Sequence, residues 1–203
     1  MKKNFYLVGL KRPFDLLLSL FGLIFFSPLL LTVAALVFFK EGRPIFFRQE
    51  RVGRNGVLFK ACKFRTMRVS SDSNSITISG DPRITTLGSF LRKYKLDELP
   101  QLLNVLKGEM SFVGPRPDVP GYMDKLSGKE RVLLTLRPGI TSPATLAFRD
   151  EENLLAKAPD PKLYNDQVIF PKKVELNLDY MEKATLYYDV KLILATVLNR
   201  RWE

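Results

Sequence analysis

The 203-residue chain has no histidine, one cysteine and one tryptophan, and it is short of acid: 21 Asp and Glu stand against 32 Lys and Arg, for a formal net charge of +11. The lone cysteine, Cys62, excludes an internal disulfide, and without histidine no His/Cys cluster can be assembled for zinc, so any bound metal must rest on oxygen ligands. Cys62 itself is expected to pack on a strand as a small residue rather than to act as a reactive thiol. The deficit of negative charge implies an anionic partner, whether nucleic acid, an anionic membrane surface or a phosphorylated small substrate. Zinc-finger spacing and RRM-type aromatic motifs are both missing, so nucleic acid has only the charge in its favour. The length suits one domain with a real core.

Charge is also missing over one long stretch. From Leu16 to Phe39, "LLLSLFGLIFFSPLLLTVAALVFF", 24 residues carry none, enough at about 1.5 Å per residue to cross a hydrocarbon layer of about 30 Å. No small-residue cleavage pattern follows, so the run is read as a retained anchor rather than a signal peptide. Ser27-Pro28 stands at its midpoint, where proline removes a donor and breaks the helix into halves. Lys2, Lys3, Lys11 and Arg12 precede the run, and Lys40, Arg43, Arg48 and Arg51 follow it. The positive-inside rule therefore gives no direction for a span. A re-entrant hairpin with both ends on the cytosolic side accounts for both features; the alternative is a bitopic helix with a tolerated proline. The expected division is a membrane-anchoring segment over 1–40 and a body over 41–203.

The body reads as α+β and mostly helical. Alternating residues around Arg54-Asn55-Gly56 predict a β-hairpin with strands at Ile45–Gln49 and Val57–Phe64. The Ser-rich stretch Val69–Arg83 reads as a loop. A short helix is predicted over Thr86–Tyr94, and another from Asp97 with Leu99, Leu102, Leu103 and Leu106 on one face, closed by Lys107-Gly108. "FVGPRP" and "LRPGIT" are proline-glycine turns, each with an arginine. Helices are expected at Pro120–Lys125, Lys129–Leu134, Glu151–Ala156 and Asp189–Asn199.

The adjacent acids Asp97 and Glu98 are the pair that needs explaining in so basic a chain. With Pro100 in the first helical turn, free amides and the helix dipole would favour negative charge and keep both ionised. Simple N-capping would account for them equally well. Their company favours chemistry: Lys63, Arg65, Arg92, Arg116 and Arg137 all lie at turns or element ends, where a fixed guanidinium suits bidentate phosphate binding. Carboxylates for Mg²⁺, cations for phosphates and a membrane anchor together point to phosphoryl transfer at a bilayer surface. The competing class is a membrane-tethered adaptor that binds polyanions or anionic lipid through its basic face.

Four segments together, "KRPFDLLLSL...SPLLL", "RQERVGRNGVLFKACKFRTM", "LGSFLRKYKLDELPQLLNVLKGEMSFVGPRP" and "LRPGIT", resemble the bacterial sugar transferases, the small monotopic phosphoglycosyl transferases. The resemblance implies transfer of a phosphosugar from a UDP-sugar to a polyprenol phosphate, usually undecaprenyl phosphate, with release of UMP. This is the step that starts assembly of a membrane glycan such as a capsule, exopolysaccharide, O-antigen or glycoprotein glycan. It implies Asp97 as a nucleophile that carries the phosphosugar, Glu98 as a Mg²⁺ ligand beside it, and Ser27-Pro28 as the break of a re-entrant helix. It implies further that Lys63, Arg92, Arg116, Arg137 and Asp189 line the phosphate and metal site. The implied location is the bacterial inner membrane, monotopic, with the catalytic body in the cytosol, and a homo-oligomer is compatible with the sequence. After "RPGIT" the chain departs from the commonest family pattern, reading "SPATLAFRDEENLLAKAPDPKLY", where Arg149, Glu151 and Glu152 are candidate sugar or nucleotide contacts or members of a capped surface helix.

Overall fold

The uncharged run folds, in the computed structural model of the chain, as two helices, α1 (Lys11–Phe25) and α2 (Ser27–Glu41), bent by 62° about Phe26. The structure describes residues 5–68 and 81–198. The cause of the bend is local. Pro28 has no amide hydrogen to offer the carbonyl of Ile24 one turn earlier, and the Ser27 hydroxyl donates to that carbonyl instead, at 2.8 Å. Among the described residues no single helix is long and apolar enough to cross a membrane, although the bent pair is when its halves are taken together.

The burial of α1 runs opposite to that of a helix in water. Lys11, Asp15, Ser19 and Gly22 are buried against the body, while Leu17, Phe21, Ile24 and Phe25 on the other side are each more than 60% exposed. A polar stripe inward and an apolar face outward is stable only where the outer solvent is itself apolar. This burial suits a bent apolar pair set in a membrane, whether as a broken span or as a re-entrant hairpin. α2 is attached by apolar packing: Val33 and Val37 pack with Phe64 and Leu91 in one core cluster.

The predicted hairpin is present as β1 (Phe46–Val52) paired antiparallel with β2 (Leu58–Phe64), around a turn in which Asn55 and Gly56 take positive φ. β1 runs three residues beyond the expected end at Gln49. Its charged tail is held because Val52 donates to the Asp118 carbonyl at 2.9 Å. Of the expected loop Val69–Arg83, residues 69–80 lie outside the described residues. Chain order continues with α3 (Thr86–Lys93), capped by the Thr85 hydroxyl. A 3-10 turn Leu96–Gln101 then runs directly into α4 (Leu102–Lys107). The helix expected to begin at Asp97 therefore opens as 3-10, with Pro100 inside it.

The two proline-glycine turns find each other. β3 (Ser111–Val113) and β4 (Gly139–Thr141) pair in parallel. A Cβ on Gly114 would lie 2.3 Å from the Arg137 carbonyl oxygen, and one on Gly139 would lie 2.2 Å from the Gly114 nitrogen, so only glycine permits this approach. The helices expected at Pro120–Lys125 and Lys129–Leu134 are 3-10 turns, the first shortened to Met123–Lys125 and the second moved by one residue to Glu130–Thr135. After them come α5 (Pro143–Ala147), α6 (Glu151–Lys157), α7 (Pro161–Tyr164), α8 (Phe170–Lys183) and α9 (Leu186–Val197). α9 starts three residues before Asp189 because Thr185 supplies the N-cap, accepting from the Tyr188 amide. The result is a mostly helical α+β body with two small sheets and a bent apolar helix pair at its N-terminus.

Candidate active site

β2 and the Leu96–Gln101 turn bring Lys63 and the acidic pair together. Lys63 Nζ and Arg116 Nη2 each donate to Glu98 Oε1 at 2.7 Å. Glu98 is 8% exposed, and so is Asp97. The two neighbours are nevertheless shifted in opposite directions. Arg116, with Lys63 and Lys95, holds the Glu98 carboxyl well below the usual carboxylate range despite its burial. Burial, and then the charge of Glu98, push the Asp97 carboxyl above its usual range, with Lys63, Lys95 and Arg92 pulling it back. The negative charge expected at the start of the turn is opposed at Asp97 by desolvation and by the Glu98 charge, and Lys63, Lys95 and Arg92 act to restore it.

Asp97 Oδ1 has no hydrogen-bond partner, and among the described residues only Asn177 Oδ1 shares that condition as a buried side-chain atom. A buried carboxylate oxygen without a donor is costly and calls for a ligand. The rest of the cluster is built to stay still. Asn104 on α4 accepts from the Cys62 amide at 3.0 Å and donates to the Lys60 carbonyl at 2.9 Å, which fixes α4 to β2. Cys62 packs on its strand as expected, its thiol pushed up by burial. Arg51 on β1 donates to the Pro117 carbonyl at 3.0 Å and so holds the turn that carries Arg116. Next to that turn, burial raises Asp118 to about 6 against the charges of Lys173, Arg51 and Arg116.

The remaining candidates divide. Arg92 acts electrostatically on Asp97 and is ion-paired to Glu152 of α6. The neighbouring Glu151 pairs with Lys173 of α8 at 2.7 Å. Arg137 and Asp189 make their contacts elsewhere. Arg137 Nε donates to the Gly108 carbonyl at 2.8 Å, beyond the C-terminal end of α4. Asp189, fully buried, accepts from Tyr6 at 2.6 Å and Tyr180 at 2.7 Å and is paired with Lys11. Arg65 likewise serves a helix end, donating to the carbonyls of Gly42 and Arg43 after α2. Orphan carbonyls at a helix C-terminus present converging oxygens to a guanidinium much as a phosphate does. The sequence signal, an arginine beside a turn, does not separate the two. Asn104, Arg51, Asp118 and Lys173 were missed, since each earns its place only through partners distant in the chain.

Among the described residues no three acidic, histidine or cysteine side chains converge as a self-sufficient metal site. Asp97 and Glu98 are hard oxygen donors, and Mg²⁺ commonly takes one or two carboxylates and completes its shell with water and substrate phosphate.

A profile described as Bacterial sugar transferase matches residues 6–201. The chain is 35% identical over 204 residues to the exopolysaccharide production protein ExoY of Sinorhizobium fredii, covering 92% of this chain and 83% of that protein. It is 36% identical over 196 residues to the UDP-glucose:undecaprenyl-phosphate glucose-1-phosphate transferase of Escherichia coli, covering 94% of this chain and 40% of that protein. It is 32% identical over 193 residues to the UDP-N-acetylgalactosamine-undecaprenyl-phosphate N-acetylgalactosaminephosphotransferase of Aeromonas hydrophila, covering 93% of this chain and 43% of that protein.

Proposed function

The chain belongs to the bacterial sugar transferase family of phosphoglycosyl transferase enzymes, and on that premise we propose that it transfers a phosphosugar from a UDP-sugar to undecaprenyl phosphate, releasing UMP, to begin assembly of a membrane polysaccharide. The observation that carries the mechanism is the unpartnered, buried Oδ1 of Asp97 beside a Glu98 already locked by two cations.

In the first step Asp97 Oδ1 attacks the phosphorus that bears the sugar. A bond forms from that oxygen to phosphorus, the bond from phosphorus to the bridging oxygen breaks, and UMP departs with the electron pair. In the second step a phosphate oxygen of the lipid attacks the same phosphorus and the aspartate leaves as carboxylate. Splitting the transfer lets two mutually repelling phosphate substrates be handled in turn. Lys63 and Arg116 orient Glu98 and supply positive charge beside the diphosphate, and Arg92 can exchange its Glu152 partner for a phosphate oxygen. Asp97 and Glu98 would hold Mg²⁺ together with diphosphate oxygens, and the ion would offset the charge that builds on the phosphoryl oxygens. Asp189 is left out of this substrate shell because both its oxygens already accept from Tyr6, Tyr180 and Lys11, and Arg137 because its Nε is turned to the Gly108 carbonyl. The outward apolar face of α1 supports insertion of residues 1–40 as a re-entrant anchor in the bacterial inner membrane, with 41–203 on the cytosolic side.

The test is UMP release by the full-length protein in vesicles containing undecaprenyl phosphate, with Mg²⁺ and a panel of UDP-sugars. Lipid-linked product and UMP should form together for one or a few sugars. Absence of UMP with every sugar would remove the proposal and return the adaptor reading.

A further inference from the structure

The motif Lys11-Arg12-Pro13-Phe14-Asp15 opens α1 and takes no part in the chemistry above, yet Lys11 and Asp15 are buried and Arg12 is half-buried. Arg12 and Asp15 stand three residues apart on the helix and so share a face. From that face they reach two separate arms of the site. Arg12 donates through Nη1 to the Val105 carbonyl at 2.6 Å and through Nη2 to the Leu106 carbonyl at 3.0 Å, closing the end of α4. α4 continues directly from the turn that carries Asp97 and Glu98. Asp15 Oδ1 accepts from Ser111 Oγ and from the Phe112 amide, both at 3.1 Å, and so fixes β3. From β3 the chain runs through Gly114 and Pro115 to Arg116.

We propose that Arg12 and Asp15 are positioning residues that hold the Asp97 turn and the Arg116 turn in register with each other. The apolar helix pair is then a structural part of the site as well as its anchor. A tether alone needs neither contact, because Val33 and Val37 already attach the pair to the body by apolar packing. The inference rests on the reading of Asp97 and Arg116 as the reacting centre. Displacements of about 1 Å at such a centre cost about a hundredfold in rate, and a lysine at position 12 cannot reproduce a fork on two adjacent carbonyls.

The experiment uses full-length Arg12→Lys and Asp15→Asn in vesicles containing undecaprenyl phosphate, with Asp97→Asn and Arg116→Lys beside them. Arg12→Lys should lose about tenfold to a hundredfold in kcat and Asp15→Asn about tenfold, no more than Arg116→Lys loses, with KM for the UDP-sugar and the melting temperature little changed. Asp15→Asn combined with Arg116→Lys should be no slower than Arg116→Lys alone, since Asp15 acts through that arginine. Hydrogen exchange at the Phe112 amide should quicken in Asp15→Asn while α8 is unaffected. If Asp15→Asn does not fold, Ser111→Ala removes a contact of the same carboxylate from the strand side and carries the same expectation. Normal kcat in Arg12→Lys and Asp15→Asn beside an inactive Asp97→Asn overturns the positioning role and leaves the site reading standing. Multiplying losses in the double variant also overturn it. A fully active Asp97→Asn removes the site reading itself, and the positioning role with it.

Discussion

Asp189 and Asp97 are both buried acids in a basic protein, and their surroundings differ in one respect that decides what each can do. Asp189 has donors on both oxygens, from Tyr180 on one and from Tyr6 and Lys11 on the other. Burial and the charge of Asp189 push the Tyr180 hydroxyl above its usual range, which keeps it a donor. Such a carboxylate has nothing left to offer a ligand, and its network joins residues from the two ends of the chain. Asp97 has one oxygen with no donor and a like-charged neighbour whose own oxygen is held by Lys63 and Arg116. The satisfied acid holds the fold together. The unsatisfied one is, on the proposed mechanism, a cost that the fold carries for chemistry.

The comparison breaks most sharply under isosteric substitution of each acid. Asp97→Asn should lower phosphosugar transfer by about a thousandfold or more, as loss of a nucleophile does. Its melting temperature should hold or rise, because a desolvated charge next to Glu98 is removed. Asp189→Asn should do the reverse, leaving Lys11 buried without its counter-ion. Disrupting such a pair costs about 3–5 kcal/mol, visible in denaturant or thermal unfolding, with turnover per folded molecule kept within a few-fold. A stable Asp189→Asn, or an Asp97→Asn that unfolds readily, would erase the distinction.

Smaller changes sharpen it. Arg116→Lys keeps the charge beside Glu98 but loses the fork, and kcat/KM should fall by about tenfold. Full activity would mean that only a positive field is needed there. Asp118 allows a test by pH. Its folded value of about 6 lies above the ordinary 3.8. The stability it contributes is therefore fully present below about pH 4 and is lost as pH rises through 6. Asp118→Asn should accordingly melt higher than the parent at pH 8 and together with it near pH 4. A constant difference across that range would show that burial does not govern this group.

What could be read from the sequence was what local chemistry determines. Pro28 breaks an uncharged helix wherever it lies, and Asn55-Gly56 turns a hairpin because both residues accept positive φ. Lys63, Arg116 and the acidic pair were legible as a group because so few acids occur near so many cations. The helices over 161–183 were not, since Pro161 and Pro171 look like breakers: Pro161 occupies a first turn, where the missing amide costs nothing, and Pro171 follows the π-helical turn Asn165–Ile169. The pairing of β3 with β4 was hidden because three-residue strands carry no periodicity and their contact depends on two glycines meeting. The raised Asp97 carboxyl was hidden for a related reason: desolvation is a property of the assembled body, not of the turn. Arg65 and Arg137 show the same limit from the other side, a charge known in advance whose oxygen partners were not.

The most direct test of Asp97 as the nucleophile is a single-turnover measurement on the full-length enzyme with Mg²⁺ and its UDP-sugar but no lipid phosphate. The account predicts a burst of UMP approaching one per enzyme, an intact mass increased by one phosphosugar, and a fragment spectrum that places it on Asp97. Adding undecaprenyl phosphate should discharge the adduct into lipid-linked product, and Asp97→Asn should give neither burst nor mass change. UMP that appears only when lipid phosphate is present, with no adduct on the protein, would contradict the covalent role and point to direct transfer within a ternary complex.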